Sequence, residues 1–206
     1  MGRKLLILLV VSLLFGCGQQ QEQFRAGEHY VRLLKKQPTT AGKVEVVEFF
    51  SYGCPHCNEF EPTWQQWKSQ RPEEVEVKSI PVVFGRQSWQ SLAKAYYAIE
   101  VLGDSGDAHA AIFHAIHQPG EVSAEPGSLA DIVATAGVDR NAFLDAMNSP
   151  VVDEKLRAAE EVTRAYQIMS VPTVAVNGKY LITTDWIQSF SDIIDVIDFL
   201  LMKERK

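Results

Sequence analysis

Cysteine is scarce. The 206 residues hold only Cys17, Cys54 and Cys57, too few for the multi-disulfide framework that staples small exported domains. Structural zinc is disfavoured for the same reason, because it needs four ligands and no second Cys pair exists, while the histidines are scattered at 29, 56, 109, 114 and 117. Positive charge is also short, with 20 Lys and Arg against 26 Asp and Glu, which argues against nucleic acid or anionic lipid as a partner. No apolar run reaches the roughly 18 residues of a membrane-spanning helix, and there is no internal repeat or low-complexity domain. Disorder is excluded as well: 46% hydrophobic residues, with four Trp and ten Phe, supply one or two domains with a sizeable core.

The first sixteen residues differ in kind from the rest. Arg3 and Lys4 precede an apolar run from Leu5 to Leu14, broken only by Ser12, and Gly16 stands directly before Cys17. This is the layout of a secretory signal peptide over residues 1–16. Leu14-Phe15-Gly16-Cys17 also resembles the bacterial lipobox, which makes Cys17 the expected lipidation site and the polar residues Gln19 to Gln23 a tether. The alternative is an ordinary signal peptide cleaved nearby. Removing residues 1–16 takes away two cations and no acid, so the formal charge falls from −6 to −8.

Along the rest of the chain, Tyr30, Leu33 and Leu34 at helical spacing predict a short helix over 28–36, closed by Pro38. Lys43 to Phe50 is rich in β-branched and aromatic residues and predicts a strand. Ser51-Tyr52-Gly53 is a turn, and Cys54-Pro55-His56-Cys57 opens a helix to about Gln70 with Phe60, Trp64 and Trp67 on one face. A second strand over 76–84 completes a crossover unit, which implies parallel pairing. Four helical segments follow over 92–102, 108–117, 128–136 and 141–147, then a longer helix over 152–166. Val171 to Val176, Asn177-Gly178 and Lys179 to Thr183 read as a hairpin, and 189–201 as a terminal helix. Residues 17–42 are taken as tether and N-terminal segment, 43–86 with 151–206 as the α/β domain, and 87–150 as an inserted helical domain.

A Cys-x-x-Cys pair serves either metal chelation or dithiol exchange, and spacing alone does not choose. His114 and His117 lie three apart on a helix and are the only companions a metal would find. The loop closed by Cys54 and Cys57 is too small for a disulfide there to hold a fold together by chain entropy. The strand–turn–helix context favours exchange, because it places Cys54 at a helix N-terminus, where free N–H groups and the macrodipole stabilise an anion. His56 adds positive charge, Pro55 suits the first helical turn, and Cys57, one turn inside, becomes the shielded resolving thiol. A stabilised thiolate makes the disulfide easier to reduce and hence a stronger oxidant. Glu48 is the other unusual residue, an acid within an apolar strand; the expectation is a buried carboxyl of raised pKa that serves Cys57 through water, against a solvent-facing acid at a strand end. Glu61, one turn beyond Cys57, is read as a modulator of the field or as a solvated helix acid. Pro172 could be cis or trans.

Glu48-Phe49-Phe50-Ser51-Tyr52-Gly53-Cys54-Pro55-His56-Cys57, with Val171-Pro172-Thr173 and Val176-Asn177-Gly178-Lys179-Tyr180, resembles the DsbA family of periplasmic disulfide oxidases in the thioredoxin superfamily. The resemblance covers most of the chain after the tether. It implies an α/β thioredoxin-like fold with an inserted helical domain and a low-pKa, strongly oxidising Cys pair with no cofactor and no metal. Cys54 matches the exposed nucleophile, Cys57 the buried partner, Pro55-His56 the tuning dipeptide and Pro172 a cis-proline beside the disulfide, with the Val171 backbone free to pair with substrate. The implied partners are reduced exported polypeptides and a DsbB-like membrane quinone reductase that restores the disulfide. The implied location is the periplasm; the membrane anchor through Cys17 is expected from the lipobox, which the family's soluble members lack, and a monomer is expected because residues 18–42 are too few for a dimerisation domain. Tyr52-Gly53 departs from the bulkier aromatic pair often found before this family's active site. A reductase or isomerase, or a non-catalytic peptide-binding lipoprotein on the same fold, are the competing readings.

Overall fold

The computed structural model describes residues 23–103, 107–120 and 123–205. The signal segment and Cys17 lie outside the described residues. Five strands form one mixed sheet in the order β1-β5-β4-β2-β3, with β1 Tyr30–Arg32, β2 Val44–Phe50, β3 Val75–Pro81, β4 Thr173–Val176 and β5 Tyr180–Ile182. The seven helices among these residues are α1 Pro55–Gln70, α2 Gln87–Leu102, α3 Asp107–His117, α4 Pro126–Thr135, α5 Arg140–Met147, α6 Pro150–Ala165 and α7 Phe190–Glu204. The strand, helix and hairpin assignments of the sequence hold, apart from the N-terminal segment, some strand ends and the start of α2, which begins at Gln87 rather than at 92.

β2 lies inside the sheet, with six of its seven residues buried. It runs parallel to β3, from Val44 opposite Val75 to Phe50 opposite Pro81, and antiparallel to β4. The apolar run that marked β2 as a strand is therefore what a strand covered on both faces requires. On one face, α1 and α7 pack through Phe60, Trp64, Trp67, Ile193, Ile197 and Leu200. Trp64 and Trp67 stack at 5.0 Å, and the Trp67 indole N–H donates to Asp198 at 3.0 Å. The block α2–α5 builds a second core around Leu92, Ile112, Phe113, Leu129 and Phe143, and this core takes in Phe50, Tyr52, Cys54 and Cys57. Helix α6, capped by the Ser149 hydroxyl, which accepts from the Val152 N–H, returns the chain to the sheet.

The expected helix over 28–36 is not formed. Tyr30–Arg32 instead pairs antiparallel with β5, Tyr30 opposite Ile182 and Arg32 opposite Tyr180. Tyr30 is 1% exposed and meets Tyr180 edge to face at 5.4 Å, whereas Leu34, counted as part of the apolar helix face, is fully exposed. Three apolar residues in so short a window fit either period, and the open edge of β5 decided the outcome. The second strand is also shorter than expected, ending at Pro81, after which Phe84 takes a positive φ of 47° and the chain turns toward α2.

The β4–β5 turn carries Asn177 at φ 51° and Gly178 at φ 64°, the paired left-handed residues of a type I′ turn. The Gly178 carbonyl also accepts from the Gln37 N–H at 2.8 Å, and a Cβ at 178 would collide with the Gln37 carbonyl. Gly178→Ala combines left-handed strain with that collision. It is expected to cost about 2 kcal/mol by chemical denaturation, with Gly42→Ala, which meets no neighbour despite its φ of 78°, costing less.

Candidate active site

The hydrogen-bonded end of β2 delivers Ser51, Tyr52 and Gly53 into a turn, closed by the Cys54 N–H donating to the Ser51 carbonyl at 3.0 Å. Cys54 is the N-cap of α1, with extended backbone at φ −102° and ψ 117°, and Pro55 follows in the first helical turn. Proline has no N–H to leave unpaired there. The Asn58 N–H donates to the Cys54 carbonyl at 3.1 Å, so the helix starts at the sulfur-bearing residue. Both cysteines are thiols. Cys57 is fully buried and Cys54 is 7% exposed, so Cys54 is the more accessible of the two but far less open than an exposed nucleophile would be.

The Cys54 thiol is pulled down from its ordinary 9.0 to about 6. The largest cause is a hydrogen bond from the Cys57 thiol; burial opposes the shift, and the backbone N–H groups of Cys57 and His56 and the charge of His56 complete it. The helix terminus and His56 do act as the sequence suggested, but behind a donor it did not name. His56 is itself solvent-exposed and lies 3.3 Å from Glu59, which answers part of its charge. The same bond, read from the other end, holds the Cys57 proton in place, and burial raises its pKa further.

Val171–Pro172 is a cis peptide, and the Val171 carbonyl accepts from the Cys54 thiol at 3.4 Å. These two residues and the Cys pair, 117 positions apart in the chain, are thus brought together. Gly53 allows a further close approach: a Cβ there would stand 2.7 Å from the Trp89 indole nitrogen. Trp89 of α2, with Phe84 at 5.9 Å and the Arg86 guanidinium over its ring at 4.4 Å, occupies the space that an aromatic residue at position 53 would fill.

Glu48 is buried, 2% exposed, and lies directly across from Ser79 of β3, whose hydroxyl donates to it at 3.0 Å. Its pKa rises from 4.5 to about 8, first through burial and then through the nearby Glu61 charge, with Lys68 and Ser79 pulling the other way. Glu61 is also buried rather than solvated. Its carboxylate accepts from His109 Nε2 at 3.0 Å, and His109 Nδ1 lies 2.6 Å from the Tyr52 hydroxyl. His117 Nε2 donates to the Tyr52 carbonyl at 2.7 Å. The pairing of His114 with His117 as metal companions is not formed: His114 is exposed, and no cluster of three or more His, Cys, Asp or Glu suited to a metal occurs among the described residues. The sequence did carry a signal for the cluster it missed, since Glu61 shares a helix face with Cys57 and Trp64, and His109 shares one with Ile112 and Phe113.

The DSBA-like thioredoxin domain family matches residues 45–195. The chain belongs to this family. It is 37% identical over 199 residues to the thiol:disulfide interchange protein DsbA of Pseudomonas aeruginosa, covering 96% of this chain and 94% of that one. It is 39% identical over 204 residues to the DsbA of Burkholderia cepacia, covering 97% and 96%. Among solved structures, Pseudomonas aeruginosa DsbA superposes with a TM-score of 0.84 at 36% identity, over 90% of this chain and 96% of that one. The DsbA of Xylella fastidiosa gives 0.81 at 36%, over 88% and 97%. The fold is accordingly thioredoxin-like with inserted helices, as the family resemblance implied.

Because folding raises the pKa of Glu48, the unfolded chain ionises from 4.5 upward while the folded protein keeps the proton to about 8. Stability associated with this carboxyl is whole below pH 4.5 and is lost as pH rises toward 8. Glu48→Gln should therefore match the reduced parent in acid and exceed it by on the order of 3 kcal/mol near pH ~7. Denaturant titrations at both pH values check this, and equal stability near neutrality would sink it.

Proposed function

We propose that the protein is a thiol:disulfide oxidoreductase that donates the Cys54–Cys57 disulfide to reduced exported polypeptides during oxidative folding. The observation that carries this reading is the depressed pKa of Cys54 beside the raised pKa of Cys57. Such a pair favours its reduced state and gives its disulfide away. About 1.4 kcal/mol of extra stabilisation of the reduced pair raises the potential by about 30 mV.

In the forward reaction a substrate thiolate attacks the Cys54 sulfur, the bond to Cys57 breaks, and Cys57 leaves as a thiolate. Its raised proton affinity makes it take up a proton at once, and Glu48, neutral below about 8, is the proposed donor, acting through water. A second substrate thiolate then attacks the substrate sulfur of the mixed disulfide and expels Cys54 as the stabilised thiolate. Two electrons pass from substrate to the Cys pair, and one disulfide appears in the substrate. Val171 and cis-Pro172 are assigned to the substrate, which would pair in extended form with the Val171 backbone and bring its cysteine to Cys54. Pro55 and His56 tune the pair.

Reoxidation is assigned to a DsbB-like membrane quinone reductase, and the site of action to the periplasm. Residues 1–16 are read as a lipoprotein-type signal peptide and Cys17 as the acylated first residue of the mature chain, which would hold the enzyme at a membrane as a monomer. This rests on the sequence alone and is tested by labelling with a fatty acid, with Cys17→Ser losing the label.

The site itself is tested by ultraviolet titration of the Cys54 thiolate in the reduced protein. A midpoint of about 6 is expected. Cys57→Ala should move it well upward because the largest stabilising contact is lost, whereas Cys57→Ser, which keeps a hydroxyl donor, should move it less. A parent midpoint near 9.0 would overturn the oxidase reading and favour a reductase or a non-catalytic relative, and Cys54→Ala should abolish oxidation of a reduced, unfolded substrate.

A further inference from the structure

One buried polar cluster lies outside the steps above. Glu61, His109 and Tyr52 come from three separate parts of the chain: Glu61 from α1, one turn beyond Cys57; His109 from the first turns of α3 in the inserted block; Tyr52 from the turn two residues before Cys54. The His109 and Glu61 side chains are only 14% and 11% exposed. Phe50 and Phe113 wall in the imidazole at 5.7 and 5.2 Å between ring centres.

The partners fix the proton on the neutral ring. Glu61 is a carboxylate and can only accept, so Nε2 carries the hydrogen; Nδ1 is then the acceptor, and the Tyr52 hydroxyl donates to it. Lysine could not take this place, because it has no acceptor. Facing the ring are Glu61 from α1, Tyr52 from the turn and Tyr96 from α2, while His117 of α3 holds the Tyr52 carbonyl from the other side. Glu61 in turn faces Glu48, where its negative charge works against a second one.

We propose that His109 is a positioning residue for thiol–disulfide exchange: its two ring nitrogens tie the turn that presents Cys54 to the helix that buries Cys57, and they fix the Glu61 side chain where it faces Glu48. This rests on the reading of Cys54 and Cys57 as the exchanging pair. Two consequences follow from the geometry. The sulfur of Cys54 sits on a six-residue segment, Tyr52 to Cys57, and His109 grips one end directly and the other through Glu61, one turn on. Loss of that grip lets the sulfur drift from the line of attack. Loss of the Nε2–H donor also leaves Glu61 with fewer partners for its charge in a buried place, where one of its oxygens, Oε2, already has none. Freed to turn away, Glu61 withdraws from Glu48 the nearby charge that helps it hold its proton, and Glu48 then releases that proton more readily.

The test uses the full chain with His109→Phe, which keeps a ring but loses both bonds, and His109→Gln, which keeps a donor and an acceptor and cannot titrate. The readouts are the rate of oxidation of a reduced unfolded polypeptide across pH, the reduction potential in glutathione buffers, and the infrared carboxyl band of Glu48 in the reduced protein. His109→Phe is expected to slow exchange roughly tenfold or more, to displace the pH profile and to move the Glu48 titration downward, while His109→Gln recovers most of the rate. If His109→Phe is less stable but keeps the parental profile and potential, the residue is only a brace and the proposal fails. Where His109→Phe does not fold, Tyr52→Phe and Glu61→Gln each remove one arm without opening a cavity, and parental behaviour in both overturns the proposal equally. Failure of the underlying reading is separate and visible: in that case Cys54→Ala would retain the oxidation activity.

Discussion

A single proton shared unequally between two sulfurs organises this molecule. The Cys57 thiol keeps its proton and donates a hydrogen bond to Cys54, so one sulfur becomes a good anion and the other a poor one. For that inequality to exist, Cys54 must be the cap of a helix and Cys57 must lie one turn inside it, fully out of water. The rest of the architecture meets these conditions. A strand buried on both faces ends in a tight turn, α1 begins at the sulfur, and the inserted helices close over the pair from the side that a bare sheet would leave wet.

Burial has an electrostatic cost that the protein handles by keeping charge off the inner wall. Glu48 remains a neutral acid over the pH range in which Cys54 is already an anion, so two negative groups do not face one another across Cys57. Ser79, opposite it on β3, supplies a hydroxyl rather than a cation. The nearest acid, Glu61, is bonded to His109 of the inserted block, and its charge helps Glu48 keep its proton. The inserted helices therefore contribute polar contacts to the redox helix as well as a hydrophobic cover.

Much of this was legible in the residues. The alternating and continuous apolar runs marked β2, β3 and α1, Asn177-Gly178 marked its hairpin, and an acid inside β2 announced a perturbed carboxyl. The failures have local causes. Residues 28–36 are ambiguous between two periods, and the choice depends on the open outer edge of β5, far along the chain at Tyr180–Ile182. Glu61 and His109 each look like an ordinary helix residue, because what makes them unusual is their meeting across 48 positions of chain. The sequence points to the helix terminus and His56 for the tuning of Cys54, since a hydrogen bond between two thiols three residues apart leaves no mark on composition or spacing beyond the motif itself.

A protein that handles unfolded chains risks having them add to its own sheet. The two outer strands here are poor templates for that. On one side β1 is three residues long and carries Arg32 beside a chain that soon reaches Pro38; on the other, β3 presents Glu76 and Lys78 and stops at Pro81. Short, charged, proline-ended borders discourage strand addition. An extended chain is thereby denied a long ladder at either border, and the sheet gives unfolded neighbours little on which to accumulate as aggregates.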